Sequence, residues 1–433
     1  MISPASPAVV ILFGILGFVA VVLFYGVRRP EERRALFAIA VGAYLLKVVL
    51  VPLYYWVLVA GGHDGFAYFD AVGYHESAVE MAFEFTHGLA FNSVGWTYKD
   101  PGYNVIIAGL YSIFGASTLI ARIFNVVIGV FTILYVYRIG CLAFDEQVGK
   151  TAAKFAAFLP FTILVTINHR KEAVAIFLAT LIFYHALRVV TQQPRWMNSI
   201  PVLILFLIPM YFVRGSFVLP FIGLFLVMLF LTQRSLLVGI MLSVLVMVGV
   251  IGVQLLDLQG GELDVQANIQ AMDRMTGKAA RNVAQSEGML RYVKITSITE
   301  IWKAPFGAFL LVLMPFPPHI IGNQGQAVYV YLFGWAHMAF LIFLPQFFLG
   351  LREVFRSGVW KRRLPLVIYS GGFLLIVGGL MLSVLRYRET VFPAILVITA
   401  AGMKARSNFL LSAVVYGSMA LLAAAVYMRR HVL

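Results

Sequence analysis

The residues able to do chemistry sit in a few short polar stretches of an otherwise apolar chain. The richest is GGHDGFAYFDAVGYHESAVEMAFEF, residues 61–85, which holds Asp64, Asp70, Glu76, Glu80 and Glu84, five of the nineteen acidic residues, together with His63 and His75. TYKDPGY follows at 97–103, then NHRKE at 168–172, Arg214 between two apolar runs, and RYRE at 386–389. Carboxylates and cations gathered in this way suit group transfer from a phosphate. A carboxylate takes the proton of an attacking hydroxyl. Arginine and lysine hold the departing phosphate and stabilise its growing charge.

These groups require a scaffold, and composition says which kind. The 433 residues are 61% hydrophobic and 12% charged, with mean hydropathy +0.90. A soluble domain is about half apolar and about a quarter charged, so the expected fold class is an all-α polytopic membrane protein. Continuous apolar runs, without strand-like alternation, exclude a barrel. The net charge of +14 fits basic loops on the cytoplasmic side and contact with anionic lipid, and no basic tail points to nucleic acid. A single cysteine, Cys141, excludes an internal disulfide and a cysteine metal cluster.

Taken in order, the apolar runs predict about twelve transmembrane helices in one transmembrane domain spanning 1–433. Residues 8–27 read as a retained first helix and about 36–60 as the second, returning outward. The basic markers RRPEERR (28–34) and LREVFRSGVWKRRLP (351–365) fix the cytoplasmic side. Residues 61–117 then form a large outer-face loop, with an interfacial helix over about 66–85 and a short interfacial or re-entrant helix over 101–115. Further crossings are expected at 118–140, 151–167, 173–190, 200–213, 215–231, 235–256, 327–350, 365–384, 391–403 and 408–427. Residues 257–326 form a second outer-face segment with a proline-broken stretch.

That topology brings Asp64, Asp70, His75, Lys99, Asp100, His169, Arg170, Lys171, Glu172, Arg214, Arg386, Arg388 and Glu389 to one face. Ionisable groups at a membrane boundary are costly unless paired or solvated, so the gathering marks a site. Asp70 reads as a base or acceptor-binding carboxylate, or as a first-turn acid favoured by the helix dipole. Asp64, after Gly61-Gly62-His63, reads equally as a turn or capping acid. Glu76, Glu80 and Glu84 recur every four residues, the pattern of a solvated helix face. His75 points elsewhere on an ideal helix and reads first as a surface histidine. Lys99 reads as a phosphate ligand or an interfacial snorkelling lysine. Arg170 and Lys171 either join the phosphate site or belong to a solvated turn, with Glu172 as a helix cap. Arg214 requires a partner. Arg386 and Arg388 read as phosphate contacts or as a helix-end anchor paired with Glu389. Tyr74, Trp96, Tyr98 and Tyr103 could stack on a sugar or form an aromatic belt. No metal motif is present; a divalent cation between Asp64 and Asp70 is the less favoured option, and no cofactor is expected.

The runs FDAVGYHESA, DPGYNVIIAGLYSIFG and ARIFNVVIGVFTILYVYRIGCLAF, with RYRETVFP near the end, resemble the GT-C superfamily of integral membrane glycosyltransferases. The likeness is to its dolichyl-phosphate-mannose-protein mannosyltransferase-like and lipid A aminoarabinose transferase-like members, and it covers roughly residues 36–190. It implies transfer of a sugar from a polyprenyl-phosphate donor to a glycan, lipid or protein acceptor on the periplasmic or outer face of a bacterial inner membrane. It further implies that Asp70, with Asp64 as competitor, is the essential acid, and that Lys99, Arg386 and Arg388 match the family's basic positions. Helix 8–27 has no counterpart in that pattern, and the large soluble C-terminal domain of some relatives is missing. Two other functions suit the same residues: a polysaccharide polymerase or ligase using lipid-pyrophosphate oligosaccharides, and a lipid-linked sugar transporter or flippase. The transporter would place charges near mid-bilayer and break its helices.

Overall fold

The computed structural model describes residues 3–62, 64–67, 69–89, 101–232, 302–313, 327–356, 358–380, 385–404 and 410–419. Lys99, Tyr98, Trp96, Asp100 and His63, the expected helix 235–256 and most of segment 257–326 lie outside the described residues. The described chain is helical, and its only β-type pairing is one bridge between Pro4 and Ala116. Five helical runs are long and apolar enough to cross a membrane, or up to seven if each bent pair is one span. The described residues therefore carry five to seven of the roughly twelve crossings expected.

Helix α1 (Pro7–Gly26) agrees with the first expected crossing to within one residue, and α2 (Pro30–Ala60) ends where the second is expected to end but begins six residues earlier, inside the basic stretch 28–34. Helix α3 (Phe69–His87) and helix α4 (Gly102–Phe114) pack along each other in the region read as the outer loop. At 13 residues, or about 20 Å, α4 is too short to span. Helix α5 (Thr118–Ala143) is the central crossing, with 61% of its most apolar stretch buried.

The expected helix 151–167 is two pieces, α6 (Glu146–Phe158) and α7 (Pro160–Thr166), bent by 57°. Leu159 is extended at φ −62°, ψ 132°, as a residue before proline prefers, and Pro160 has no N–H to continue the ladder. Helix α8 (Glu172–Val190) follows, then α9 (Ser199–Arg214) and α10 (Val218–Thr232). Residues 196–232 form one continuous helical stretch of 37 residues, but it turns back at Arg214, whose φ −160° and ψ 76° are not helical. Leu203 and Leu207 of α9, Phe221, Phe225 and Met228 of α10, and Ile182 and Phe183 of α8 line one cavity. The two halves thus line a common cavity beside α8, with the break at Arg214 where the sequence reading puts it.

The remaining helices are α11 (Ala304–Leu313), α12 (Ala327–Leu341), α13 (Leu344–Val354), α14 (Trp360–Leu380), α15 (Phe392–Gly402) and α16 (Leu410–Met419). The expected crossing 327–350 is bent by 52° between α12 and α13. The expected crossing 391–403 is α15, eleven residues that are all buried. At about 16 Å it is a half-helix inside the bundle. It lies so close to α13 that a Cβ on Gly350 would stand 1.8 Å from the Ile398 carbonyl oxygen, and one on Gly402 1.8 Å from that of Gln346. Small residues permit such backbone contact between membrane helices.

One end of the bundle is tied by basic residues. Arg138 donates to both carboxylate oxygens of Glu32 at 2.7 and 2.9 Å. Lys404 reaches Asp145 at 2.7 Å, Arg362 donates to the Leu142 carbonyl, and Arg363 to that of Glu353 at 2.7 Å. Both cytoplasmic markers of the sequence therefore share one end. The turn 168–172, Arg214 and Arg388 converge at the other.

Candidate functional site

The polar turn between α7 and α8 is built into the protein core. Asn168, His169, Arg170, Lys171 and Glu172 are all at most 5% exposed, so the solvated-turn reading is corrected. Asn125, on α5, holds the turn: its Nδ2 donates to the carbonyls of Asn168 at 2.7 Å and Arg170 at 2.9 Å, and to the Tyr103 hydroxyl at 3.1 Å. With its backbone bound to the core, the turn cannot present its side chains to water.

Glu172 is the first residue of α8, and the N-cap position falls to Lys171, whose side chain makes no capping hydrogen bond. Its Oε1 instead meets two guanidiniums, Arg170 Nη2 at 3.0 Å and Arg214 Nη2 at 2.9 Å. This is the partner that Arg214 requires. The Arg214 guanidinium also lies 4.9 Å from the Phe217 ring centre, and the backbone break at 214 brings it back to the start of α8.

A third element enters from far along the chain, the 3₁₀ turn Leu385–Val391. Arg388 is fully buried and donates through Nη1 to the Leu311 carbonyl in the last turn of α11, where the helix dipole favours a cation. It is not the surface anchor paired with Glu389 that the sequence allows. Glu389 is 1% exposed, and neither carboxylate oxygen has a hydrogen-bond partner among the described residues. Burial pushes its carboxyl up to about 7, against the attraction of Arg170, Arg388 and Arg214. Arg386 lies in the same turn. Arg170, Arg214 and Arg388 thus act on Glu389, and Arg170 and Arg214 also hold Glu172.

Beside this cluster stands a ring-lined wall. The His169 ring is 5.9 Å from those of His75 and Tyr103 and 6.3 Å from Phe66. Neither nitrogen of His169 has a hydrogen-bond partner among the described residues, and burial, with His75 and Arg122 nearby, holds its pKa well below the ordinary histidine value. His75 is half-buried, not a surface residue; its Nδ1 lies 2.9 Å from the Tyr111 hydroxyl, and burial lowers its pKa too. Tyr74 and Tyr103 meet edge to face at 5.5 Å, at 4% and 0% exposure, so they line the interior and not an open belt. Lys171 Nζ lies 5.8 Å from the Tyr74 ring centre. Asp70, half-buried in the first turn of α3, precedes Tyr74 by four residues and so shares its face. Asp64 is exposed, at φ +46°. Glu76 and Glu80 are exposed as expected, while Glu84 is half-buried.

Sequence reasoning missed Arg122 and Asn125. Both lie fully buried on α5. Arg122 donates through Nη2 to the Gly65 carbonyl and stands 5.3 and 5.6 Å from the rings of Tyr54 and Tyr55. Gly65, at φ +79°, leaves no room for a Cβ, which would meet the Tyr55 ring at 2.2 Å. Arg122 and Tyr55 thereby fix the loop that leads into Asp70. The signal was available: two polar residues three apart inside an apolar run face protein, not lipid. No group of three or more histidine, cysteine or acidic side chains among the described residues could hold a metal ion.

Residues 99–254, somewhat over a third of the chain, match the family described as dolichyl-phosphate-mannose-protein mannosyltransferase. The matched stretch includes Asn125, the turn 168–172 and Arg214, and stops short of Asp70 and Arg388. Among curated proteins none matches the chain significantly. Joined to several membrane-crossing helices, the family match supports a GT-C-like membrane glycosyltransferase, the resemblance carried by the sequence motifs.

Proposed function

We propose that this protein transfers a sugar from a polyprenyl-phosphate donor to a hydroxyl-bearing glycan, lipid or protein acceptor at the outer face of a bacterial inner membrane. The observation that carries this reading is the convergence of the buried Arg170, Arg214 and Arg388 around Glu172 and Glu389, with Lys171 beside Tyr74. Guanidiniums match phosphate oxygens in shape and charge, and three of them gathered from distant segments suit a phosphate. Lys99 and Arg386 would add to the same phosphate contacts.

In the reaction the acceptor oxygen bonds to the anomeric carbon as the bond from that carbon to the phosphate oxygen breaks. The electron pair leaves with the phosphate, where the arginines stabilise it. The acceptor proton passes to Asp70, or to Asp64 if that loop swings inward, and configuration inverts. His75, Tyr74 and Tyr103 form the wall against which sugar or acceptor would lie, and we assign Tyr98 a contact with the same group. The test incubates the full chain with radiolabelled polyprenyl-phosphate sugars and acceptors. Loss of a general base costs about 10²–10⁴-fold in rate, expected for Asp70→Asn; unchanged transfer by both Asp70→Asn and Asp64→Asn would remove the carboxylate from the mechanism.

A flippase for the same lipid is a second reading, favoured by two bent helix pairs and by Lys47, fully buried midway along α2 with no hydrogen-bond partner for Nζ among the described residues. It predicts movement of the labelled lipid across a vesicle membrane without transfer.

A further inference from the structure

Breaking the bond to the sugar changes the charge that the cluster must hold. The donor's phosphate is a diester with one negative charge. The leaving phosphate is a monoester, doubly charged above a second pKa of about 6. We propose that Glu389 takes up a proton when the arginine cluster holds a phosphate monoester, so that the site distinguishes leaving phosphate from donor. This rests on the reading of the cluster as the phosphate site.

The argument begins with what surrounds the carboxyl. Glu389 faces Arg170 and Glu172 at the start of α8, Arg214 at the end of α9, and Arg388 in its own turn. Helix α15 has no ionisable side chain; α14 carries Lys361, Arg362 and Arg363 at the opposite end of the bundle, and Tyr369, whose hydroxyl donates to the Thr390 carbonyl at 3.2 Å. His337 on α12 lies near Arg388 and binds the Val312 carbonyl through Nε2 at 2.8 Å. Glu389 is thus the buried carboxylate here without a guanidinium hydrogen-bonded to it, in contrast to Glu172.

It lines a cavity of about 40 Å³ with Thr132, Thr162, Thr166 and apolar side chains. That is room for a water molecule. All three threonine hydroxyls already donate to helix carbonyls, of Ile128 at 3.0 Å, Leu159 at 2.8 Å and Ile163 at 2.9 Å. Their oxygens can therefore only accept. The carboxylate oxygens have no hydrogen-bond partner among the described residues, whereas a carboxylic acid has threonine oxygens in the same cavity that can accept from its O–H, directly or through a water. The attraction of Arg170, Arg388 and Arg214 keeps Glu389 within reach of ionisation, and a dianion placed among those cations cancels that attraction and leaves the neutral acid. The proton comes from solvent and returns to it when the phosphate leaves; Asp70 separately receives the acceptor's proton.

Farnesyl phosphate, a short prenyl monoester, is titrated by calorimetry into the full chain in detergent at pH 8, in two buffers of different ionisation enthalpy. The ligand is dianionic throughout at that pH. A carboxyl poised near 7 is about nine-tenths ionised there, so binding takes up about 0.9 proton per ligand. Glu389→Gln takes up none and binds about tenfold more tightly at pH 8, because the repelling charge has gone. Farnesyl methyl phosphate, a diester, takes up less than the monoester in the wild type. Absence of proton uptake in the wild type, or full uptake in Glu389→Gln, overturns the inference. If Glu389→Gln does not fold, the wild type alone decides through its affinity, which must fall about tenfold per pH unit above the carboxyl's pKa. Failure of farnesyl phosphate to bind, or binding unaffected by Arg214→Met, overturns the reading of the phosphate site and this inference with it. Binding that requires Arg214 but takes up no proton overturns only the role of Glu389.

Discussion

Glu172→Gln isolates the charge that holds two buried arginines. Arg170 and Arg214 each reach the same Oε1, at 3.0 and 2.9 Å, with all three side chains at most 4% exposed. At an effective dielectric constant of ~20, each contact supplies roughly 5–6 kcal/mol of gross attraction. Two nitrogens on one oxygen stand no more than about 6 Å apart and repel by about 3 kcal/mol on the same scale. Desolvation of three ions offsets most of the remainder, so the intact triad contributes little net stability. Glutamine keeps the shape and removes the charge, which leaves the repulsion and the desolvation of both arginines uncompensated. The expected loss is about 3–5 kcal/mol, the range for breaking a buried pair from one side. It is read as a lowered midpoint of thermal or denaturant unfolding of the full chain in detergent, followed by circular dichroism. Farnesyl phosphate should recover more stability in Glu172→Gln than in the wild type, since an added anion replaces the missing one. A midpoint within about 0.5 kcal/mol of wild type would refute the reasoning, because surface substitutions away from such features stay within that range.

Three further outcomes follow from the packing and from the buried rings. Gly350→Ala places a methyl where the Ile398 carbonyl stands 1.8 Å away; it should cost at least about 1–3 kcal/mol, measured by the same unfolding assay, with Gly14→Ala, which meets nothing within 4 Å, as the neutral control. His169 has its pKa well below the ordinary value in the folded state. The unfolded chain therefore binds more protons, and the stability this provides is complete above pH ~6.5 and lost as pH falls below it, by up to about 1.4 kcal/mol per unit. His169→Phe should flatten that acid limb, and an unchanged slope would place the titration elsewhere. Arg138→Lys replaces a two-pronged contact with Glu32, partly exposed at 24% and 15%, by a single one; the loss should stay under about 1 kcal/mol.

What the sequence made legible is what local pattern controls. Runs of apolar residues located α1, α2, α5 and α8, and the basic stretches at 28–34 and 351–365 marked an end of the bundle that ion pairs do tie together. The four-residue spacing of Glu76 and Glu80 identified a wet helix face. Arg214 announced its need for a partner because a lone arginine between apolar helices has no cheap alternative. Length set the limit elsewhere. An eleven-residue stretch such as 392–402 reads as part of a crossing until neighbouring helices are seen to cover it on all sides, and the bends at Leu159 and near Phe343 depend on how each half packs.

The turn 168–172 shows why the site itself stayed ambiguous. Five consecutive polar residues between two helices have the composition of a solvated loop, and composition gives no other answer. Burial is imposed from a distance, by Asn125 binding the turn's carbonyls, by Arg214 closing on Glu172 forty-two residues later, and by the 3₁₀ turn at 385–391 packing against α8. The same arginines on a surface would be worth little and would select no ligand, because water screens them. Held in the interior, where water does not screen them, they act strongly on any anion that reaches them. The functional reading therefore rests less on which residues are present than on the three segments that meet to exclude water from them, and Asp70 gains its meaning from α3, which sets it one turn from Tyr74 and the Lys171 that Tyr74 faces.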